Sequence, residues 1–151
     1  MIMMISLTGE YALRAMIFLV RHRDDWPISA PRIAEEAGIP HKYLSAILAD
    51  LVRAGLLEGM RGKRGGFRVT RPAKEIHLVE VIRPFEPVMK NRRSCPFGNV
   101  TCSDADPCGA HERWKAVKAA LDKFLAETSL QKVAIKRGER GDGNGRSRNA
   151  R

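Results

Sequence analysis

Three cysteines and one histidine offer the most chemistry in this 151-residue chain: Cys95-x6-Cys102-x5-Cys108, with His111 three residues beyond the last thiol. An odd number of cysteines confined to fourteen consecutive residues does not make a disulfide framework. In a reducing compartment such a cluster indicates a metal or redox site. Thiolates are soft ligands suited to iron-sulfur clusters or to zinc, and an imidazole one helical turn past Cys108 can face the same centre. The spacing lacks the short Cys-x2-Cys knuckle of structural zinc, which leaves a Cys3His zinc site as the alternative to a cluster. The Asp, Asn and Gly residues around the thiols argue against three ordinary buried cysteines. A Cys-x2-Cys redox pair, a Gly-rich nucleotide loop and an acid-base constellation are all missing, so neither catalysis nor a small-molecule substrate is expected.

The second chemical signal is charge. Lys and Arg total 27 against 17 Asp and Glu, a net charge of +10. The last sixteen residues hold six basic and two acidic side chains, which leaves residues 1 to 135 at +6. A folded part that is basic in its own right points to a polyanion partner. Between Gly59 and Lys74 stand Arg61, Lys63, Arg64, Arg68, Arg71 and Lys74, with no acidic residue among them.

The elements that must position these groups follow from periodicity and punctuation. Leu13, Met16, Ile17 and Val20 recur at helical spacing behind Thr8, predicting a first helix from about Gly9 to His22. Asp24, Asp25, Trp26 and Pro27 break it. Ser29 caps a short second helix with Pro31 in its first turn, ending at Gly38. Pro40 opens a third, whose apolar set is Leu44, Ile47, Leu48, Leu51 and Val52. A short helix, a tight Gly turn and a longer helix make a helix-turn-helix. The strand-like runs Leu56 to Met60 and Gly66 to Thr70, joined by Arg61-Gly62-Lys63-Arg64-Gly65, make a basic hairpin, the wing of a winged helix. Ile76 to Ile82 reads as a strand end running into a short helix, stopped by Pro84 and Pro87.

Downstream, residues 90 to 109 form a loop long enough to need a reason, and the cysteines supply one. A helix resumes at His111 and continues to about Ile135. Its broad apolar stripe of Trp114, Val117, Leu121, Phe124 and Leu125 exceeds what so small a chain can cover, so burial against a second copy is expected. Residues 136 to 151, rich in Gly and Arg, read as a disordered tail. The expected fold is thus mainly α with a small β-hairpin wing. It divides into a winged helix-turn-helix DNA-binding domain (1–84), a cysteine-bearing loop (85–110), a dimerisation helix (111–135) and the basic tail. The longest apolar stretch, near Ala12 to Val20, falls short of a bilayer span, so a cytoplasmic protein without membrane contact is expected.

In a helix-turn-helix the first turn of the second helix faces the major groove, which places His41, Lys42, Tyr43 and Ser45 near DNA. The first three can donate to phosphates, and Ser45 can reach a base edge with either polarity. Ser29 is placed for a phosphate contact at a helix start. Arg61, Lys63 and Arg64 on a flexible turn suit a narrow minor groove.

Taken together, Leu7-Thr8-Gly9-Glu10-Tyr11-Ala12-Leu13-Arg14-Ala15-Met16, the wing Arg61-Gly62-Lys63-Arg64-Gly65-Gly66-Phe67, the stretch Val79-Glu80-Val81-Ile82 and the three spaced cysteines form a recognisable set. With it the chain, over about residues 4 to 135, resembles the bacterial iron-sulfur winged-helix transcriptional regulators, the family that includes IscR, NsrR and RirA. The resemblance implies a homodimer, crossed through the long C-terminal helix, that binds an operator in double-stranded DNA and carries one cluster per protomer. It implies Cys95, Cys102 and Cys108 as ligands. For the fourth it offers two residues: His111, at the IscR-like position, or Glu10, at the position where NsrR-like proteins supply a carboxylate from the partner protomer. His111 on a [2Fe-2S] cluster is the favoured expectation and Glu10 on a [4Fe-4S] cluster the alternative. Ser45 stands where IscR-like proteins that switch operator class carry an acidic residue, so that dual reading is not expected here.

Overall fold

The computed structural model describes residues 5–86, 95, 97–98 and 101–135. The expected tail, 136–151, lies outside the described residues, as does most of the segment leading into Cys95. Among the described residues six α-helices and one hairpin follow in order: α1 (Leu7–Arg21), α2 (Ala30–Ala37), α3 (His41–Arg53), β1 (Leu57–Met60), β2 (Gly66–Val69), α4 (Leu78–Ile82), α5 (His111–Glu127) and α6 (Leu130–Ala134). This is the mainly helical winged helix-turn-helix that the periodicity predicts.

α1 is the hub of the core. Ala12, Ala15, Met16 and Leu19 are fully buried on one face, against residues from α2, α3, α4 and α6. Burial of Met16 and of Leu19 contributes about 1.5–3 kcal/mol each relative to exposure, and each alanine methyl about 0.8 kcal/mol. The helix begins two residues earlier than its apolar spacing suggests, because Ser6 rather than Thr8 is the N-cap. The Ser6 hydroxyl accepts from the Gly9 N–H at 3.1 Å, while the Ser6 N–H donates to the buried Glu86 carboxylate at 2.6 Å. A partner eighty residues away in sequence thus decides between two hydroxyls that compete equally on local grounds.

α2 carries Pro31 in its first turn and ends on Gly38, whose φ of 66° gives the left-handed C-cap that lets the chain turn into α3. α3 buries Leu44, Ile47, Leu48 and Leu51. The hairpin pairs Leu57 with Val69 through Met60 with Gly66. Outside the hairpin, Ile28 bridges Phe67 by two backbone hydrogen bonds, of 3.0 and 2.8 Å. The wing is therefore stitched to the residue just before Ser29 and α2.

The C-terminal helix departs from its expected continuity. α5 stops at Glu127, Thr128 is extended, and Ser129 caps a separate α6. Thr and Ser offer the backbone local alternatives to helix, and the extended residues Ile76 and His77 take them up through an isolated bridge between His77 and Ser129. The Leu78 N–H donates to the Thr128 carbonyl at 3.0 Å, and the Leu130 N–H to the Ile76 carbonyl at 2.7 Å. α6 then folds back on α1, where the Arg21 guanidinium donates to the Ala134 carbonyl at 2.8 Å. Of α5, only Leu121 and Leu125 reach the core. Val117 and Phe124 remain 43% and 52% exposed, so the stripe expected to need a second copy is uncovered in one chain.

Candidate functional site

The cysteine loop closes onto the first turns of α5. His111 opens that helix and is buried, 5% exposed. Its Nδ1 stands 3.6 Å from the Cys102 sulfur, and its Nε2 stands 2.8 Å from a carboxylate oxygen of Asp104. The same Asp104 oxygen accepts from the Lys115 ammonium at 2.8 Å, one helical turn beyond His111. Lys115 first, and then His111, holds the Asp104 carboxyl far below its ordinary range, at about 2, so it is ionised. Lys115 is raised in return, chiefly by its hydrogen bond to Asp104.

Cys108 joins the same turn through its backbone, its carbonyl accepting from the His111 N–H at 3.0 Å. Cys95 lies two residues before Phe97, whose ring meets Trp114 edge-on, with centroids 5.7 Å apart at 83°. The structure therefore brings the Cys102 sulfur directly to His111 and joins Cys108 to the same turn through its backbone carbonyl. All three cysteines are half-buried. Glu10 ion-pairs with Arg14 on α1.

The donor geometry fits a metal. On a tetrahedral ion with a thiolate at about 2.3 Å and an imidazole nitrogen at about 2.1 Å, the two donors stand about 3.6 Å apart. Cys102 and His111 have that separation. Three thiolates with one imidazole fit an iron-sulfur cluster or zinc by ligand softness. Asp104, His111 and Glu112 also place ligand atoms within 4.8 Å of one another, with both carboxylates exposed.

A second surface gathers on α2, α3 and the wing. His41, Lys42, Tyr43 and Ser45 are all exposed along the start of α3, as is Ser29 at the start of α2, whose hydroxyl makes no capping bond. Lys42 sits over the Tyr43 ring, 4.7 Å from its centroid, and Tyr43 stacks on Tyr11 of α1 at 6.0 Å and 24°. Arg14 sits over the Tyr11 ring, 5.7 Å from its centroid. In the wing, Arg68 pairs with Glu58 and Arg71 with Glu80. The turn cations Arg61, Lys63 and Arg64 are exposed and, among the described residues, in no ion pair. The wing's positive charge is thus concentrated at its tip.

Sequence reading misses Asp104, Lys115, Trp114 and the Tyr11 stack as parts of these surfaces. Asp104 and Lys115 carried a weak signal, a carboxylate between two cysteines and a cation four residues after the histidine.

A model of the Rrf2 family, described as iron-dependent transcriptional regulators, matches residues 5–136. The chain belongs to the Rrf2 family. Among its relatives is the HTH-type transcriptional regulator IscR of Xenorhabdus nematophila, 30% identical over 131 residues that cover 87% of this chain and 79% of the relative. Among solved structures, IscR of T. potens superposes with a TM-score of 0.69 at 27% identity, over 87% of this chain and 85% of that one. CymR, the global cysteine regulator of B. subtilis, superposes with 0.71 at 26% identity, over 88% and 97%. Like these Rrf2 relatives, the chain is a helix-turn-helix regulator of transcription and not an enzyme. Among the described residues no helix is long and apolar enough to cross a membrane.

Proposed function

We propose that this Rrf2 protein is a homodimeric repressor or activator whose affinity for its operator is set by an iron-sulfur cluster held on Cys95, Cys102, Cys108 and His111. The observation that carries the reading is the His111 imidazole, turned with Nδ1 toward Cys102 at ligand-pair distance. It favours His111 over Glu10, which is engaged with Arg14 on another helix, and with it a [2Fe-2S] over a [4Fe-4S] cluster. Imidazole also suits iron better than a carboxylate does.

The protein reads DNA in the bacterial cytoplasm through residues 1–84. Ser29, His41, Lys42 and Tyr43 meet phosphates, Ser45 meets a base edge, and Arg61, Lys63 and Arg64 enter the adjacent minor groove. The exposed stripe of α5 joins two copies. The cysteine loop, residues 85–110, lies between reader and joining helix, so its ordering by the cluster alters the spacing of two recognition helices that must meet half-sites about 34–36 Å apart.

A single tetrahedral ion fits the same Cys102–His111 separation, so a zinc-stabilised nucleic-acid-binding module is the second reading. One anaerobic preparation separates them by visible absorption, iron and sulfide content and electron paramagnetic resonance. A brown protein with about one cluster per chain, whose operator affinity changes on cluster removal, supports the sensor. A colourless zinc protein with unchanged affinity refutes it. A spectrum kept in His111→Ala but lost in Glu10→Ala would transfer the fourth ligand to Glu10.

A further inference from the structure

The contacts of Asp104 extend beyond the ligand set. The Asp104 oxygen that lies 2.8 Å from His111 Nε2 also takes a hydrogen bond from the Lys115 ammonium, so it is an acceptor, and the proton of the Asp104–His111 contact sits on Nε2. In the neutral ring Nδ1 is then the bare nitrogen, and Nδ1 is the atom that faces Cys102. Asp104 is itself gripped by Lys115, so the loop between Cys102 and Cys108 is latched onto α5 at two successive turns. An outer carboxylate that holds the second nitrogen of a ligating histidine fixes ring orientation and raises ligand basicity. We propose that Asp104 is the positioning residue of the metal centre: it fixes the His111 tautomer and makes Nδ1 the ligating nitrogen.

This inference rests on His111 being a ligand, as read above, and it does not depend on which metal is bound. The Asp104 side chain is 70% exposed, so its replacement spares the core. Two probes test the role. Apoprotein titrated with cobalt(II) reports tetrahedral thiolate and imidazole ligation by its visible bands. Asp104→Ala is expected to weaken cobalt affinity by about 10- to 100-fold, the range found for losing such outer partners. Asp104→Asn keeps an acceptor oxygen without the charge and should fall between Asp104→Ala and the parent. In the anaerobically reconstituted and reduced protein, pulsed electron paramagnetic resonance with histidine labelled by 15N at Nδ1 alone should show the strong ligand coupling. In Asp104→Ala that coupling should weaken or pass to Nε2.

Unchanged cobalt affinity together with an unchanged nitrogen coupling in Asp104→Ala would overturn the inference. So would strong Nε2 coupling in the parent, or a cobalt spectrum indifferent to His111→Ala. A parent that takes up cobalt in an Asp104-dependent way but never iron and sulfide would instead refute the cluster reading and leave the positioning role standing.

Discussion

Replacing Gly66 by alanine drives a methyl group into the backbone of Ile28. The new Cβ would overlap the Ile28 carbonyl carbon and oxygen and stand 2.8 Å from the Ser29 nitrogen, none of which is a flexible side-chain end. The wing must then separate from the chain entering α2, breaking the two backbone hydrogen bonds between Ile28 and Phe67. At about 0.5–1.5 kcal/mol net for each bond, the loss is about 1–3 kcal/mol. The positive φ at Gly66 (156°) adds about 1 kcal/mol for a residue with a Cβ. The expected destabilisation is about 2–4 kcal/mol, or about 5–15 °C in melting temperature for a chain of this size. Gly38 provides the control. Its φ of 66° is also positive, but nothing lies within 4 Å of its added Cβ, so Gly38→Ala should cost only about 1 kcal/mol. Urea unfolding of both variants measures the difference, and operator binding should suffer more in Gly66→Ala because the wing is displaced. A Gly66→Ala protein as stable as Gly38→Ala would refute the reasoning.

Three further outcomes test other parts of the structure. Arg61→Ala should weaken operator binding by about 1–3 kcal/mol, whereas Lys42→Ala should weaken all sequences alike and reduce the salt slope by about one, both read from affinities at two salt concentrations on two sequences. Phe124→Glu places a charge in the exposed stripe of α5 and should shift sedimentation from dimer to monomer without loss of helical content. Partial burial pushes the Glu80 carboxyl up, but the His77 N–H and the Arg71 guanidinium outweigh it and hold Glu80 below its ordinary 4.5. A depressed folded-state value gives stability that is present above pH 4.5 and lost as pH falls toward the folded value. Glu80→Gln should therefore be less stable than the parent near neutrality, and the gap should close in acid; a gap constant with pH would count against the ion pair.

The parts of this fold written into local chemistry are legible in the sequence. Pro31, Gly38 and Pro40 punctuate α2 and α3 because a proline suits a first helical turn and a glycine suits a left-handed cap. The hairpin follows from its glycine-rich turn, and the candidate site from three thiols with a histidine one turn on. What stayed hidden depends on contacts distant in sequence. Ser6 displaces Thr8 as the cap of α1 only because Glu86 lies beside it. The break at Thr128 depends on the free backbone groups of Ile76 and Leu78. Glu58 and Glu80 neutralise Arg68 and Arg71 across the hairpin and beyond it, so a tally of wing charges overstates its field and misplaces its maximum. Asp104 lies on a loop without periodicity, where no pattern announces which side chain it will meet.

The pinning of α5 to the core by its C-terminal turns has a mechanical consequence. Its 17 residues make a rod about 25 Å long. The last turns are pinned by Leu121, Leu125 and the Thr128–Leu78 backbone bond, while the end bearing His111 is covered by the loop residues Cys102 and Asp104. Such a rod is a lever with its fulcrum on the helix-turn-helix core. A displacement of about 2 Å at the His111 end tilts it by only about 5°. Transmitted through a joint made of backbone hydrogen bonds, the same small angle turns the whole reading head, with α3 and the wing carried together. Geometry of this kind allows a chemical event that moves a few atoms to be felt as a mismatch in phase along the double helix, and it requires no change in the shape of the surface that touches DNA.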